Sequence, residues 1–326
     1  MSDDQALDTV AAQPARPTKA ETVAVVVVTY NRAELLERML DGLAAQTRKP
    51  DAVIVVDNAS ADHTPQVLAA REDLPLVTIH SAENLGGAGG FHLGVKTAYD
   101  KGFDRIWLMD DDVVPAPDCL AVMLASDGPC LMAVREDRSG RLVEKSAIDF
   151  DLANPLAIRP KRRSVEQEYA DRAAMPAEFP IDVVAFEGFM VHRRVIDAIG
   201  LPDPTYFIFY DDVDFAIRAR RAGFPILALR DAVLVRQLDF DQQHALDTWK
   251  GFYMFRNLFV VHFRYGENLL VRLKPWVIVL AVVLLSPFRG GRAEAANVTK
   301  AIRSARHMRE LAPESRSQDP SPPSLD

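Results

Sequence analysis

Apolar and polar positions along the first half of the chain fall into alternating blocks. Residues 23–29 form an unbroken, mostly β-branched run, the pattern of a strand buried on both faces. Leucines and Met39 recur at helical spacing over 33–46, and a second buried run over 52–56 ends at Asp57. Residues 62–71 predict a helix with Asp62 as candidate N-cap. A short strand follows over 76–80, then a helix over 87–101 in spite of its glycines. A fourth strand over 105–109 runs into Asp110-Asp111-Asp112. Strands alternating with helices predict an α/β fold with a mainly parallel sheet, flanking helices and right-handed crossovers. Such sheets bind ligands beyond the carboxyl ends of their strands. Polar residues gather at those ends: Thr29, Tyr30, Asn31 and Arg32; Asp57 and Asn58; and the three aspartates. The pattern alone therefore points to a site.

The second half is less regular. Residues 181–191 predict one strand interrupted by Glu187-Gly188, and an aromatic, acidic stretch over 206–215 leads into a helix over 216–222. Residues 276–285 are ten apolar positions between Lys274-Pro275 and Pro287, too few to span a bilayer, and no apolar run reaches 18 residues. That segment predicts a core helix or a surface anchor. Residues 1–20 and 312–326, small, polar and Pro-containing, predict disordered tails.

Composition narrows the function classes. With 48% hydrophobic and 26% charged residues, the 326-residue chain has enough apolar side chain for a large core. A net charge of −8 disfavours a general nucleic-acid binder. The charge is uneven: residues 264–310 hold nine Lys/Arg against three acids, a net +6 that leaves −14 elsewhere. Cys119 and Cys130 make neither a disulfide scaffold nor a zinc site, and they read as reduced thiols of a cytosolic protein without a visible signal peptide.

Two features carry chemistry. Gly86-Gly87-Ala88-Gly89-Gly90 fits neither the dinucleotide nor the P-loop glycine spacing, which disfavours a dehydrogenase or a P-loop NTPase. Glycine-rich backbone opening a helix can still approach a nucleotide; close helix packing is the competing explanation. Asp110-Asp111-Asp112 puts three mutually repelling carboxylates at the end of an apolar strand. A hard divalent cation would remove the repulsion, with a diphosphate completing its shell.

Four segments in order, Val27-Val28-Thr29-Tyr30-Asn31-Arg32, Val55-Val56-Asp57-Asn58-Ala59-Ser60, Asn84-Leu85-Gly86-Gly87-Ala88-Gly89-Gly90-Phe91 and Trp107-Leu108-Met109-Asp110-Asp111-Asp112, resemble the inverting nucleotide-sugar glycosyltransferases of the GT-A fold. The resemblance covers residues 22–260. Within that family the glycine segment and the aspartate triplet are most similar to actinobacterial galactofuranosyltransferases that start cell-wall galactan, with rhamnosyltransferases as close neighbours. The implied fold is a Rossmann-like GT-A domain over 21–260, with a nucleotide half (21–125) and an acceptor half (126–260). A basic helical extension over 261–311 follows.

The resemblance also implies roles. Thr29, Tyr30, Asn31 and Arg32 would line the uridine pocket, Asp57 would face uracil or ribose, and Asn84 and Gly89 would border the nucleotide. Asp110 and Asp111 would meet the donor, and Asp110 and Asp112 a Mn²⁺ or Mg²⁺ ion. Glu187 would lie beneath the donor sugar and acceptor. Asp211 and Asp212 would begin a helix, Asp212 as catalytic base and Asp211 as N-cap and substrate contact. Arg256 would reach the diphosphate. Some relatives carry a metal-binding His where this chain has Leu234-Val235-Arg236-Gln237; the third protein ligand is left open, and His244 is the nearest histidine.

The implied partners are a UDP-sugar donor and a lipid-linked glycan acceptor, with peripheral contact to an anionic membrane from the cytoplasmic side, no nucleic acid, and a homo-oligomer left open. The implied reaction is transfer of galactofuranose to a polyprenyl-diphosphate acceptor. Alternatives are a dTDP-sugar rhamnosyltransferase, a nucleotidyltransferase, and a non-catalytic sugar-nucleotide binder. Thr29-Tyr30-Asn31-Arg32 is not a nucleotidyltransferase signature, and Asp211 and Asp212 argue against a protein without a base.

Overall fold

The computed structural model describes residues 21–157, 159–238, 248–288 and 291–310. The predicted tails and His244 lie outside them. The first half follows the expected alternation: β1 (Val23–Thr29), α1 (Ala33–Ala44), β2 (Ala52–Asp57), α2 (Thr64–Ala69), β3 (Leu76–His80), α3 (Gly86–Asp100) and β4 (Arg105–Asp110). Then come β5 (Val113–Pro115), α4 (Cys119–Leu124), β6 (Cys130–Glu136), β7 (Ala147–Phe150), β8 (Lys161–Ser164), α5 (Val165–Glu168), β9 (Glu178–Ile181), β10 (Phe189–His192) and α6 (Arg193–Ile199). The chain continues through α7 (Asp211–Arg221), β11 (Ile226–Arg236), α8 (Trp249–Tyr265), α9 (Leu269–Leu285) and α10 (Gly291–Glu310).

The main sheet runs β3-β2-β1-β4-β10-β6-β11-β5, with β9 also on β11. Strands β3, β2, β1 and β4 are mutually parallel, as are β6 and β11. Strand β10 is inserted antiparallel between β4 and β6. The stretch predicted as one interrupted strand is thus two strands in different parts of the sheet. Glu187-Gly188 lies between them because Gly188 adopts φ +96°, and a Cβ there would meet Leu234 Cδ1 at 2.3 Å.

Alternate residues of β1 feed the two faces. Ala24, Val26 and Val28 join one core cluster, and Val23, Val25 and Val27 the other. Each valine so buried contributes about 1.5–3 kcal/mol, which favours an interior place in the sheet, between β2 and β4. Helix α3 lies very close to it: a Cβ on Gly90 would be 2.5 Å from Val28 Cγ1, and one on Gly94 2.3 Å from Val26 Cγ1. These glycines answer to packing. Gly86 has φ +69° and sits under the Phe207 carbonyl, where a Cβ would be 2.1 Å from the oxygen. Cys119 and Cys130 are both buried and free.

A third cluster joins Phe255, Phe259 and Val260 of α8 with Val298, Ala301 and Ile302 of α10, against Ala88 and Tyr206. Helix α9 starts earlier than its apolar block and includes Pro275. With the 3₁₀ turn Ser286–Phe288 it makes one 20-residue helix, long and apolar enough to cross a membrane. The expectation of a ten-residue segment is corrected. The Lys274 ammonium does not end the helix, because it donates to the Asn154 and Ala157 carbonyls at 2.6 and 2.9 Å.

Candidate active site

The carboxyl ends of β1, β2 and β4 assemble the polar residues that the pattern predicted. The Thr29 hydroxyl donates to Asp111 at 2.8 Å, and Arg32 donates to the other Asp111 oxygen at 3.0 Å. Arg32 also lies 3.6 Å from Asp112. Asp111 is therefore held by β1 and its loop. Asn31, at φ 52°, accepts from the Ala61 amide at 2.7 Å, and its own amide donates to Ser60 Oγ at 2.9 Å. This fastens the loop after β1 to the loop after β2, and Tyr30 projects beside it, exposed.

Asp57 is buried, accepting from the Ser60 amide at 2.9 Å and facing His80 Nδ1 at 3.1 Å. Asn84 accepts from the Gly86 amide at 2.8 Å, and Asn58 donates to the Gly86 carbonyl at 2.8 Å. Gly89 abuts Leu85 of its own chain turn, where a Cβ would meet the Leu85 Cβ at 2.6 Å. Asp62 is not the helix cap: α2 begins after His63, and Asp62 accepts from the Thr64 and Ala33 amides at 3.0 Å each, tying α2 to α1.

Asp110, Asp112 and Glu187 come together, with one ligand oxygen from each lying within 4.8 Å of the others. The loop before β10 thus supplies a third carboxylate that the sequence assigned to the sugar side. Glu187 is held by Arg135, which also grips the fully buried Glu144. Arg236, in the stretch where some relatives have a metal-binding His, lies 3.8 Å from both Asp112 and Glu187. Around this point five carboxylates (Asp110, Asp111, Asp112, Glu144 and Glu187) face three guanidiniums (Arg32, Arg135 and Arg236). The surplus of two negative charges matches one divalent cation. Asp112 Oδ1 is buried without a hydrogen-bond partner. Burial, then the neighbouring Glu187, pushes both Asp110 and Asp112 above the usual carboxylate range. All-oxygen donors suit a hard cation, so these residues fit the expected ion.

Helix α7 brings the second acidic group. Its N-cap is Tyr210, in the left-handed region at φ 67°, and Asp211 is the first helical residue. The capping role expected of Asp211 is therefore corrected: its carboxyl is buried and pushed well above the usual range by that burial and then by Asp212. Asp212 is half-buried and accepts from the Val213 amide at 2.7 Å. Burial first, with Glu187 adding to it, raises its carboxyl to about 6, while Lys161 and Arg135 act in the opposite sense.

The segment before α7 is strained. Phe207, Phe209 and Tyr210 all have φ between 62° and 67°. Such residues cost about 1–3 kcal/mol each and persist only where their surroundings fix them. The fixing comes from α8. Asn257 donates to the carbonyls of Tyr206, Ile208 and Phe209 at 2.7–3.0 Å, and Arg256 to those of Thr205 and Tyr206 at 2.9 and 2.7 Å. Arg256 was expected at the diphosphate; the structure turns it to the backbone that positions Asp211 and Asp212. Asp214 faces away, accepting from Tyr265, Arg218, Tyr206 and Arg264.

The chain thus joins four parallel strands, an acidic cluster at their carboxyl ends and a second acidic pair opening a helix. Residues 24–127 match the family model described as glycosyl transferase family 2. Galactofuranosyltransferase GlfT1 of Mycolicibacterium smegmatis is 32% identical, over 74% of this chain and 82% of its own length. The N-acetylglucosaminyl-diphospho-decaprenol L-rhamnosyltransferase of Mycobacterium tuberculosis is 26% identical, over 63% and 72%. The solved mannosyltransferase of Pyrobaculum calidifontis, in complex with GDP-Man and Mn²⁺, shares the fold at TM-score 0.52 and 21% identity, over 92% and 79%. The chain belongs to glycosyl transferase family 2 and is a glycosyltransferase.

Proposed function

We propose that this enzyme transfers galactofuranose, with inversion, from UDP-galactofuranose to a glycan carried on a polyprenyl diphosphate, in cell-wall biosynthesis. The observation that carries the reading is the 32% identity to a galactofuranosyltransferase across 82% of that protein's length. The decaprenyl diphosphate in the rhamnosyltransferase's name supports a lipid-linked acceptor.

Thr29, Tyr30, Asn31, Arg32 and Asp57 form the uridine end, and Asn84 sets the Gly86 turn beside it. Asp110, Asp112 and Glu187 would hold Mn²⁺ or Mg²⁺, which when bound supplies positive charge to the departing diphosphate. Asp111, neutralised by Arg32, keeps that loop in place. Asp212 takes the proton from the attacking acceptor hydroxyl; a base with pKa near 6 is ionised at neutral pH yet still basic. Asp211 lies beside it on the acceptor side.

The enzyme works at the inner face of the cell membrane. Leu269, Leu270, Leu273, Trp276, Val277 and Leu280 of α9 are exposed. Arg272 of α9 and Arg292, Lys300, Arg303 and Arg306 of α10 are exposed, and Arg306 lies over the Trp276 ring at 5.7 Å, which favours an anionic leaflet. Arg264 and Lys274, counted in the basic stretch, instead turn inward to Asp203, Asp214 and backbone carbonyls.

The test is a donor panel on a synthetic prenyl-diphosphate disaccharide, with product mass measured. Addition of one hexose from UDP-galactofuranose supports the reading; addition of deoxyhexose from dTDP-rhamnose alone would replace it with the rhamnosyltransferase.

A further inference from the structure

The hairpin β7–β8 carries the run Arg159-Pro160-Lys161-Arg162-Arg163. It is pinned to the main domain by the Ala147–Val183 bridge and by the Phe150 amide donating to Asp182 at 2.8 Å. Residues 151–157 then reach the start of α9. The Glu267 amide donates to the Leu152 carbonyl at 3.0 Å, Asn268 to that of Ala153 at 2.5 Å, and Lys274 to those of Asn154 and Ala157. This loop is the physical link between the Asp212 side of the molecule and the exposed apolar face of α9. Leu152 packs with Ile217 of α7 and with Val261 and Tyr265 of α8.

A cleft of about 510 Å³ opens on this loop, lined by Leu156, Arg159, Lys161 and Arg162. Arg163 is engaged by Asp149 and Glu168. Among the described residues neither Arg159 nor Arg162 makes an ion pair. Lys161 donates to the Lys145 carbonyl at 2.8 Å. Asp212 is close enough to act on Lys161 electrostatically. Arg159 likewise acts on Tyr210, the N-cap of α7. Three cations around one cleft thus stand between the base and the lipid-facing helix. Leu156, 88% exposed, is an apolar neighbour on the same rim.

We propose that Arg159, Lys161 and Arg162 bind the diphosphate of the lipid-linked acceptor, so that its glycan extends to Asp212 and its prenyl chain leaves along the apolar face of α9. The inference rests on the lipid-linked acceptor of the proposed reaction. Its basis is complementarity: a diphosphate has closely spaced negative oxygens, which two guanidiniums and an ammonium match. A prenyl chain needs an apolar exit, which α9 provides from Leu269 onward.

Titration calorimetry of the full chain with farnesyl diphosphate, under saturating UDP and Mg²⁺ to fill the donor side, tests this without any sugar donor. Failure of galactofuranose transfer is therefore a separate result. The wild type is expected to bind, and Arg159→Ala/Arg162→Ala to lose at least about tenfold, since both charge-assisted contacts go. Arg159→Lys/Arg162→Lys, which keeps the charge, should retain most of the affinity and so separates site loss from misfolding. A soluble short-chain phosphatidylglycerol is the second ligand. Equal binding of it, with equal loss in the alanine variant, would make the cleft a general headgroup contact and overturn the assignment. Unchanged farnesyl diphosphate affinity in the alanine variant, or its abolition by UDP, would overturn it too.

Discussion

Replacing Asp212 with Asn removes the one carboxylate that combines a half-buried place at the start of α7 with a pKa near neutrality. The substitution keeps shape and the acceptor oxygen for the Val213 amide, so binding and stability should survive. What disappears is the ability to take a proton during attack. Loss of a general base costs about 10²–10⁴-fold in rate, equivalent to about 3–5 kcal/mol of barrier. The pH profile gives an independent magnitude. With its pKa at about 6, the wild-type base is about nine-tenths ionised at pH 7 and about a tenth at pH 5. The sign is that of a base: only the deprotonated form acts, so kcat/KM should fall nearly tenfold over that span. The groups acting on Asp212 are Glu187, which raises its pKa, and Lys161 and Arg135, which lower it. The assay is product formation at fixed UDP-sugar and metal across pH 5–8, for wild type and Asp212→Asn. Asp212→Asn should be slow throughout. A variant that kept near-wild-type turnover would refute the assignment and move the role to Asp211 or Glu187.

Further outcomes follow from the surrounding geometry. Asp112→Asn removes a ligand whose second oxygen is buried and unpartnered, so the enhancement of UDP binding by Mn²⁺ in calorimetry should largely vanish. Asn257→Ala removes the two N–H donors that three carbonyls of the strained segment share; at about 0.5–1.5 kcal/mol per donor it should cost about 1–3 kcal/mol in denaturant unfolding and lower kcat as well. Asp214→Asn should cost about 3–5 kcal/mol of stability, because Arg218 and Arg264 lose a buried partner. Sedimentation with anionic liposomes should fall as salt rises, each exposed base near α9 contributing about 1 kcal/mol at low salt; equal pelleting with neutral lipid would count against the membrane reading.

The first half was legible because its physics is local. A strand buried on both faces must be continuously apolar, and 23–29 matches β1 to the residue; the short, half-buried β3 also matches 76–80, set off by its flanking polar residues. The aspartate triplet was visible for the same reason, since no solvated turn explains three carboxylates closing a buried strand. What escaped depends on contacts far apart in sequence. Glu187 joins Asp110 and Asp112 only because β10 inserts beside β4, and nothing local to Phe186-Glu187-Gly188 signals that insertion. The glycines at 90 and 94 answer to Val28 and Val26 some sixty residues earlier. Helix α9 was cut short by reading Lys274-Pro275 as a boundary, whereas the Lys274 charge is absorbed by carbonyls of residues 154 and 157.

Arg256 shows the same logic at the level of function. An arginine beside an active site invites assignment to the phosphate, yet two carbonyls of a strained turn hold its guanidinium from below. That turn cannot keep three non-glycine residues at positive φ without such a clamp, and α7 with its acidic pair starts where the turn ends. The place of Asp212 at the start of α7 is therefore set in part by α8, through Arg256 and Asn257. The same helix packs on α10 through Phe259, Val260 and Ile302, and α9 is joined to the 151–157 loop that borders the basic cleft. The C-terminal helices thus hold both the turn before α7 and the loop beside the basic cleft. Lipid engagement of α9 and the placing of the base are mechanically adjacent. Deleting the chain from residue 249 onward, which removes the Arg256 and Asn257 donors together with α9 and α10, should consequently abolish transfer even to a water-soluble acceptor that needs no membrane. Measured on an octyl-linked disaccharide in detergent-free buffer, retained transfer by that truncated chain would show that the extension only recruits the enzyme to the bilayer.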